Sequence, residues 1–315
     1  MHVKIFDKTE VIVALGAARA VTPVPSAHQD SLLSAVAGLH GVDLCPQLLP
    51  KPGVLRMDRV LRERRCCRRV VELAAALAAS EGEMRPAAAV NLVTLARTLD
   101  HCDSDVRRFR DLAGHYYLRG RIDFTRRMAA RVFSDCQPSG QESRTHALLG
   151  NILRARSDRM LAGRYHALAQ LHPASFGFAI WEHYRRNGFR FPGEGGGVPE
   201  RLLTHDVAHV LTGYPTDPEG ELLQAAFQTG CSRDDGFMPL YFGILQFQFA
   251  ARVTAGTKDG VPLLDYAKLE AALARGASCR ADLADDWDFW ALLPRSLCEV
   301  RQSLGVPPLA RIAAA

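Results

Sequence analysis

The stretch PERLLTHDVAHVLTGYPTDPEGE, residues 199–221, decides how this chain is read. Pro199 opens a segment in which Leu202, Leu203, Val207, Val210 and Leu211 recur at helical spacing, and Gly213 and Pro215 stop it. Thr216-Asp217-Pro218-Glu219 then reads as the start of a second helix, with Thr216 or Asp217 as N-cap and proline in the first turn. Thr216 and Glu219 have the spacing of a capping box, which gives Glu219 a structural task at the helix entrance. Glu221 has no such task and lies one turn inside, among Leu222, Leu223 and Ala225. The local prediction is a helix–turn–helix hairpin.

This hairpin concentrates metal-binding chemistry. His205, Asp206, His209 and Glu221 fall within 17 residues. On a helix, His205 and His209 lie about 40° apart around the axis, and Asp206 lies about 100° from the first and about 60° from the second. All three side chains can reach one cleft, and the turn returns Glu221 toward them. Two nitrogens and up to two carboxylates suit Zn, Fe(II) or Mn, with a coordination position left for water or substrate. The zinc-protease pattern is different: it places Glu directly after the first His, where this chain has Asp206, and no distal histidine follows. That argues against a metal hydrolase. Gln224 and Gln228 continue from Glu221 at i+3 and i+7, either as donors lining the same cleft or as a solvated stripe.

Composition bounds the rest. The chain has 315 residues, 48% of them hydrophobic, and a net charge of +5, enough to bury a core in two domains. Only five lysines occur, so 34 of the 39 basic residues are arginine, which reads as codon bias rather than a nucleic-acid surface. The eight cysteines contain no C-x-x-C pair and read as free thiols of a reducing compartment. The longest apolar run, Phe237 to Leu245, is about half of a membrane span. Val11 to Ala18 has a faint signal-peptide look that Asp7 and Glu10 spoil, so a cytoplasmic protein is expected.

Strand signals are nearly absent, and an all-α fold is expected: a multi-helix bundle carrying the hairpin, plus a smaller helical N-terminal domain. The expected helices run near Ser31–Leu39, from about Leu55 to Leu77, Pro86–Leu99, Arg144–Ala155, Met160–Leu171 and Ala174–Asn187. Asn187-Gly188 is a C-terminal cap. Pro192 to Pro199, with four glycines, reads as a flexible loop that fits no phosphate-binding fingerprint. The polar break Gln137–Gln141 divides the chain into residues 1–140 and 141–315. Arg62, Arg64, Arg65, Arg68 and Arg69 form a basic run, read as a solvated face or as a surface for anionic lipid heads.

Two resemblances follow. Residues 71–83, VELAAALAASEGE, with the helix ending at Leu99, resemble the TerB-like helical domains of tellurite-resistance proteins. H-D-x-x-H, eleven intervening residues, then E is similar to the signature of the Coq-four family of ubiquinone biosynthesis, and the match runs from His205 to Glu221. Ser175-Phe176-Gly177, Asn187-Gly188-Phe189 and the apolar stretch Phe237 to Phe249 agree with it, over about residues 144 to 300. The glycine-rich approach to the motif and the first 140 residues depart from it, as in a divergent bacterial member.

The Coq-four resemblance implies an all-helical fold and a divalent metal, usually zinc, held by His205, Asp206, His209 and Glu221. It implies action on a polyprenylated quinone precursor, removing the C1 carboxylate with hydroxylation of that carbon. It also implies other quinone-biosynthesis enzymes as partners and peripheral contact with the inner membrane. Phe237, Leu240, Phe242, Leu245, Phe247 and Phe249 then line a groove for a prenyl tail, or simply a helical core. Two functions of different class remain: a metal-dependent decarboxylase or lyase, and a non-catalytic lipid-binding scaffold that organises quinone-biosynthesis enzymes.

Overall fold

Helical periodicity dominates the computed structural model, which describes residues 6, 8–22, 24–46, 49, 61, 63–80, 85–101, 158–197, 200, 203–232, 237, 239–241, 243–244, 265–283 and 287–309. The fold is all-α, and no strand occurs among the described residues. The backbone groups into two compact units, Met1–Asp123 with Asp217–Cys279, and Phe124–Thr216 with Arg280–Ala315. The chain thus enters each unit twice, where the sequence reading draws a single cut. That cut, at residues 137–141, lies outside the described residues, as does the helix expected over 144–155.

In the first unit, α1 (Lys8–Arg19) buries Val11, Ala14, Leu15 and Ala18 completely. The stretch with the signal-peptide look is therefore core. Helix α2 (Ala27–Leu39) starts on a full capping box: the Ser26 hydroxyl accepts from the Gln29 amide, and the Gln29 side chain accepts from the Ser26 amide. The same Gln29 donates its side-chain NH2 to the Leu77 carbonyl at 2.8 Å, tying α2 to the last turn of α3 (Arg64–Ala79). Helix α4 (Pro86–Thr98) follows, with proline in its first turn.

The basic run at the start of α3 is only partly a solvated face. Arg64 and Arg65 are exposed, but Arg69 is 2% exposed beside the equally buried Glu72. Arg68 Nε donates to Glu72 Oε1 at 2.8 Å, Arg69 Nη1 lies 3.5 Å from Oε2, and the Phe237 amide donates to Oε2 at 3.3 Å. Helical periodicity missed this because a buried arginine and glutamate one turn apart look like surface charge. Burial pushes the Glu72 carboxyl up to about 7, against the pull of Arg68 and Arg69.

Helices α8 (Pro218–Cys231) and α9 (Tyr266–Ala277) belong to the same unit and cross closely. Their contact is made by two glycines. A Cβ on Gly276 would fall on the Phe227 carbonyl oxygen, and one on Gly230 would fall on the Leu273 carbonyl oxygen. Phe237 and Leu240 are fully buried in this unit, so they serve as core; the other four groove candidates lie outside the described residues. Of the described cysteines, Cys66, Cys67, Cys231 and Cys279 are buried and in no disulfide.

The second unit contains α5 (Arg159–His166), a short 3-10 turn over Ala167–Gln170, α6 (Phe176–Asn187), α7 (Leu203–Thr212), a second 3-10 turn over Trp290–Leu292, and α10 (Leu297–Leu304). Ser175 caps α6 and Gly188 ends it in the left-handed region at φ +67°. The α6 N-terminus is laced to the segment before α10. Phe176 N–H donates to the Arg295 carbonyl, Gly177 N–H to the Leu293 carbonyl, and Leu297 N–H to the Ala174 carbonyl. The glycine-rich stretch is a tight turn rather than a loose loop. At Gly193 (φ +86°) a Cβ would collide with the backbone of Asp158 and Ala162, and at Gly197 with the Phe191 carbonyl.

No helix among the described residues is long and apolar enough to cross a membrane. Gly276→Ala sets backbone against backbone and is expected to cost on the order of 3 kcal/mol in denaturant unfolding. Gly163→Ala, on an exposed helix with nothing within 4 Å, is expected to be neutral or slightly stabilising. Glu72 binds its proton more tightly folded than unfolded, so the stability this contributes is full below about pH 4.5 and lost as pH rises through about 7. Thermal melts of Glu72→Gln are expected to lack that component of the slope; an unchanged slope would contradict the assignment.

Candidate metal centre

Helix α7 is built to hold two imidazoles still. Leu203, Val207, Ala208 and Leu211 are fully buried along one face and anchor it. Gly213, at φ +78°, ends it and donates its N–H to the His209 carbonyl at 2.8 Å. The next carbonyls are taken by a side chain from far along the sequence: Arg301 of α10 donates Nε to Leu211 O at 2.8 Å and Nη2 to Val210 O at 3.0 Å. The positive charge also sits at the negative end of the helix.

His209 is 1% exposed and His205 is half-buried. His209 Nδ1 lies 3.0 Å from the Tyr214 carbonyl oxygen. A carbonyl only accepts, so Nδ1 carries the proton and Nε2 presents a lone pair. That Nε2 faces His205 Nε2 at 3.2 Å, with the two rings edge to face. The His183 ring lies parallel to His209 at 6.2 Å between centroids. One ligand-capable atom from each of His205, His209 and Glu221 lies within 4.8 Å of the others, a group that can hold a metal ion.

The donor set fits such an ion. Two nitrogens each about 2.0–2.1 Å from a tetrahedral zinc stand roughly 3.3 Å apart, close to the 3.2 Å found between the Nε2 atoms. Two imidazoles and a carboxylate are a borderline-hard set that accepts Zn, Fe(II) or Mn alike.

The structure brings three of the four sequence-predicted residues together. Asp206 is not in the group; its Oδ2 accepts a 2.5 Å hydrogen bond from the Tyr184 hydroxyl on α6. Burial and the neighbouring carboxylate hold the Tyr184 hydroxyl well above the usual phenol range. The helix boundaries fall close to the expected ones, with one correction. Asp217 is the N-cap of α8, its Oδ1 accepting from the Gly220 amide at 2.8 Å, and the Thr216–Glu219 capping box does not form. Thr216 donates instead to Asn187 Oδ1, and Glu219 pairs with Lys268 at 2.5 Å. Glu219 still has a structural task of a different kind. Gln224 and Gln228 are buried, so they are not a solvated stripe.

Sequence reading missed Tyr184, Tyr214 and Arg301. Tyr214 was within reach, since it lies in the turn five residues after His209. Arg301 is 90 residues from the carbonyl it caps, and nothing local marks it.

Arg301→Met removes both donors from the end of α7. It is expected to cost about 2 kcal/mol in thermal or denaturant unfolding and to weaken zinc binding about tenfold, read by competition with a chromophoric chelator. Zinc affinity equal to that of the parent protein would show that the cap does not position the imidazoles. In comparisons with known proteins, no family model and no curated protein matches this chain.

Proposed function

We propose that the chain is a metal-dependent enzyme of ubiquinone biosynthesis acting on a polyprenylated benzoquinone precursor, with C1 decarboxylation and hydroxylation as its chemistry, a two-electron oxidation in which dioxygen is the oxidant and the carboxylate leaves as carbon dioxide. The observation that carries the reading is the convergence of His205, His209 and Glu221 from the H-D-x-x-H and distal Glu spacing. The substrate class comes from the resemblance of that spacing to the Coq-four signature. Peripheral contact with the inner membrane and with other quinone-biosynthesis enzymes belongs to the same proposal.

The chain's residues supply the framework for this chemistry. His205 and His209 offer imidazole nitrogens, the second with its tautomer set by Tyr214. Glu221 adds a negative charge that offsets part of a dication's charge. A divalent ion held by His205, His209 and Glu221 would supply Lewis-acid chemistry, neutralising an arenecarboxylate and polarising a ring oxygen.

Purified protein is expected to carry about one divalent ion per chain by elemental analysis, and His209→Ala to lose it. The metal-loaded protein is expected to release carbon dioxide from a prenylated 4-hydroxybenzoate, and the His209→Ala variant to release none. Stoichiometric metal without turnover would move the assignment to a lipid-binding scaffold, and absence of metal would end both.

A further inference from the structure

The second unit carries a run of aromatic rings that reaches from α6 to a half-buried indole. We propose that Tyr165, with Glu200 as its proton acceptor, relays an oxidising equivalent between the Tyr184 ring on α6 and the Trp290 indole, where a thiol in solution discharges it. The relay protects a site that handles dioxygen, so it rests on the reading above for the source of the oxidant. Its own steps involve only side chains of this unit.

The rings form one contact path. Tyr184 stacks on Phe191 at 4.6 Å between centroids and 7° between planes. Phe191 stacks on Tyr165 at 5.7 Å and 9°, and Tyr165 meets Trp290 at 5.1 Å. At the inner end the Tyr184 hydroxyl is bonded to Asp206 of α7. Tyr165 is 0% exposed, whereas Trp290 is half-buried and reaches solvent. Packing needs only the rings, and phenylalanine at 165 would fill the same stack. The Tyr165 hydroxyl instead donates to Glu200 Oε1 at 2.7 Å. A carboxylate is a far stronger base than the carbonyl oxygens that satisfy most buried hydroxyls.

That hydrogen bond sets the chemistry. Burial and the Glu200 carboxylate hold the Tyr165 hydroxyl well above the usual phenol range, so it does not ionise before it is oxidised. Its electron and proton leave together. A dioxygen-derived hydroxyl radical takes one electron from Tyr165 across Phe191 and Tyr184 and becomes hydroxide. The phenol proton moves to Glu200 Oε1, leaving a neutral tyrosyl radical beside a neutral carboxyl. Trp290 then gives one electron to that radical, and Glu200 returns the proton. A thiolate in solution gives one electron to the indole radical cation and becomes a thiyl radical. The Arg164 guanidinium carbon, 3.9 Å from the centre of the Trp290 ring, disfavours positive charge on the indole. The oxidising equivalent therefore rests on Tyr165 and visits Trp290 only to be discharged.

Pulse radiolysis of the full chain with the azide radical, which oxidises indoles first, tests the relay by transient absorption and needs no bound ion. Indolyl absorption is expected to decay as tyrosyl absorption grows, at a rate independent of protein concentration. Tyr165→Phe and Trp290→Leu are each expected to cut the tyrosyl yield severalfold, and Glu200→Gln to slow its growth severalfold. Glutathione cannot touch the buried phenol, yet it is expected to remove the tyrosyl signal of the parent chain severalfold faster, through Trp290. Circular dichroism checks folding, and either Tyr165→Phe or Glu200→Gln decides if the other variants do not fold.

An unchanged tyrosyl yield in a folded Tyr165→Phe would overturn the relay, because another tyrosine would then take the oxidising equivalent. Unchanged growth in Glu200→Gln, or a tyrosyl signal that glutathione leaves untouched, would overturn it too. If elemental analysis finds no metal while the relay runs, the metal-centred reading falls and the electron path stands.

Discussion

The Arg301 guanidinium closing the last turn of α7 is the contact on which the site's geometry depends. A ten-residue helix is marginal by itself, and its final carbonyls have no partner within the helix. Arg301 supplies two donors to them, and the segment just before it is hydrogen-bonded to the first turn of α6. One C-terminal element therefore sets both the helix that carries His205 and His209 and the helix that carries Tyr184. The imidazole spacing and the Tyr184–Asp206 bond share one foundation.

Around that foundation, polar groups are fixed by hydrogen bonds to defined partners. His209 spends its proton on the Tyr214 carbonyl and keeps a lone pair. Tyr184 spends its proton on Asp206. The Tyr184 ring is held in a stack with Phe191 and Tyr165. The first unit shows the opposite use of burial. There Glu72 sits between two guanidiniums and an amide, and its charge is controlled by desolvation rather than committed to a ligand role. Both arrangements place acidic groups against helices, but only the second unit's imidazoles belong to a group that can hold a metal ion.

Much of this was legible in the residues themselves. Period-3.6 apolar spacing, prolines in first turns and Gly188 and Gly213 after last turns located α2, α4, α6, α7 and α8 within a few residues, because these signals act over one or two turns, whereas α1, α9 and α10 were not anticipated. The pairing of His205 with His209 followed from helix geometry alone, and Glu221 from the length of the turn. The Thr216–Glu219 box failed because capping spacing is necessary but not sufficient: Asp217 competes for the same helix end, and Lys268 draws Glu219 away. The glycines of 193–197 were visible but misread, since composition reports freedom of the chain and not the backbone that approaches it.

The sequence by itself determined an all-α chain with two imidazoles one turn apart and a carboxylate returned to them by a short turn. Those are local facts, set by helical pitch and by turn residues. Tertiary structure alone decided that Asp206 faces Tyr184, that Arg301 caps α7, and that Glu72 and Arg69 are buried together. Each of these depends on a partner from another helix or on packing around it. Spacing along one chain says which side chains share a helix face; it carries no information on what that face meets.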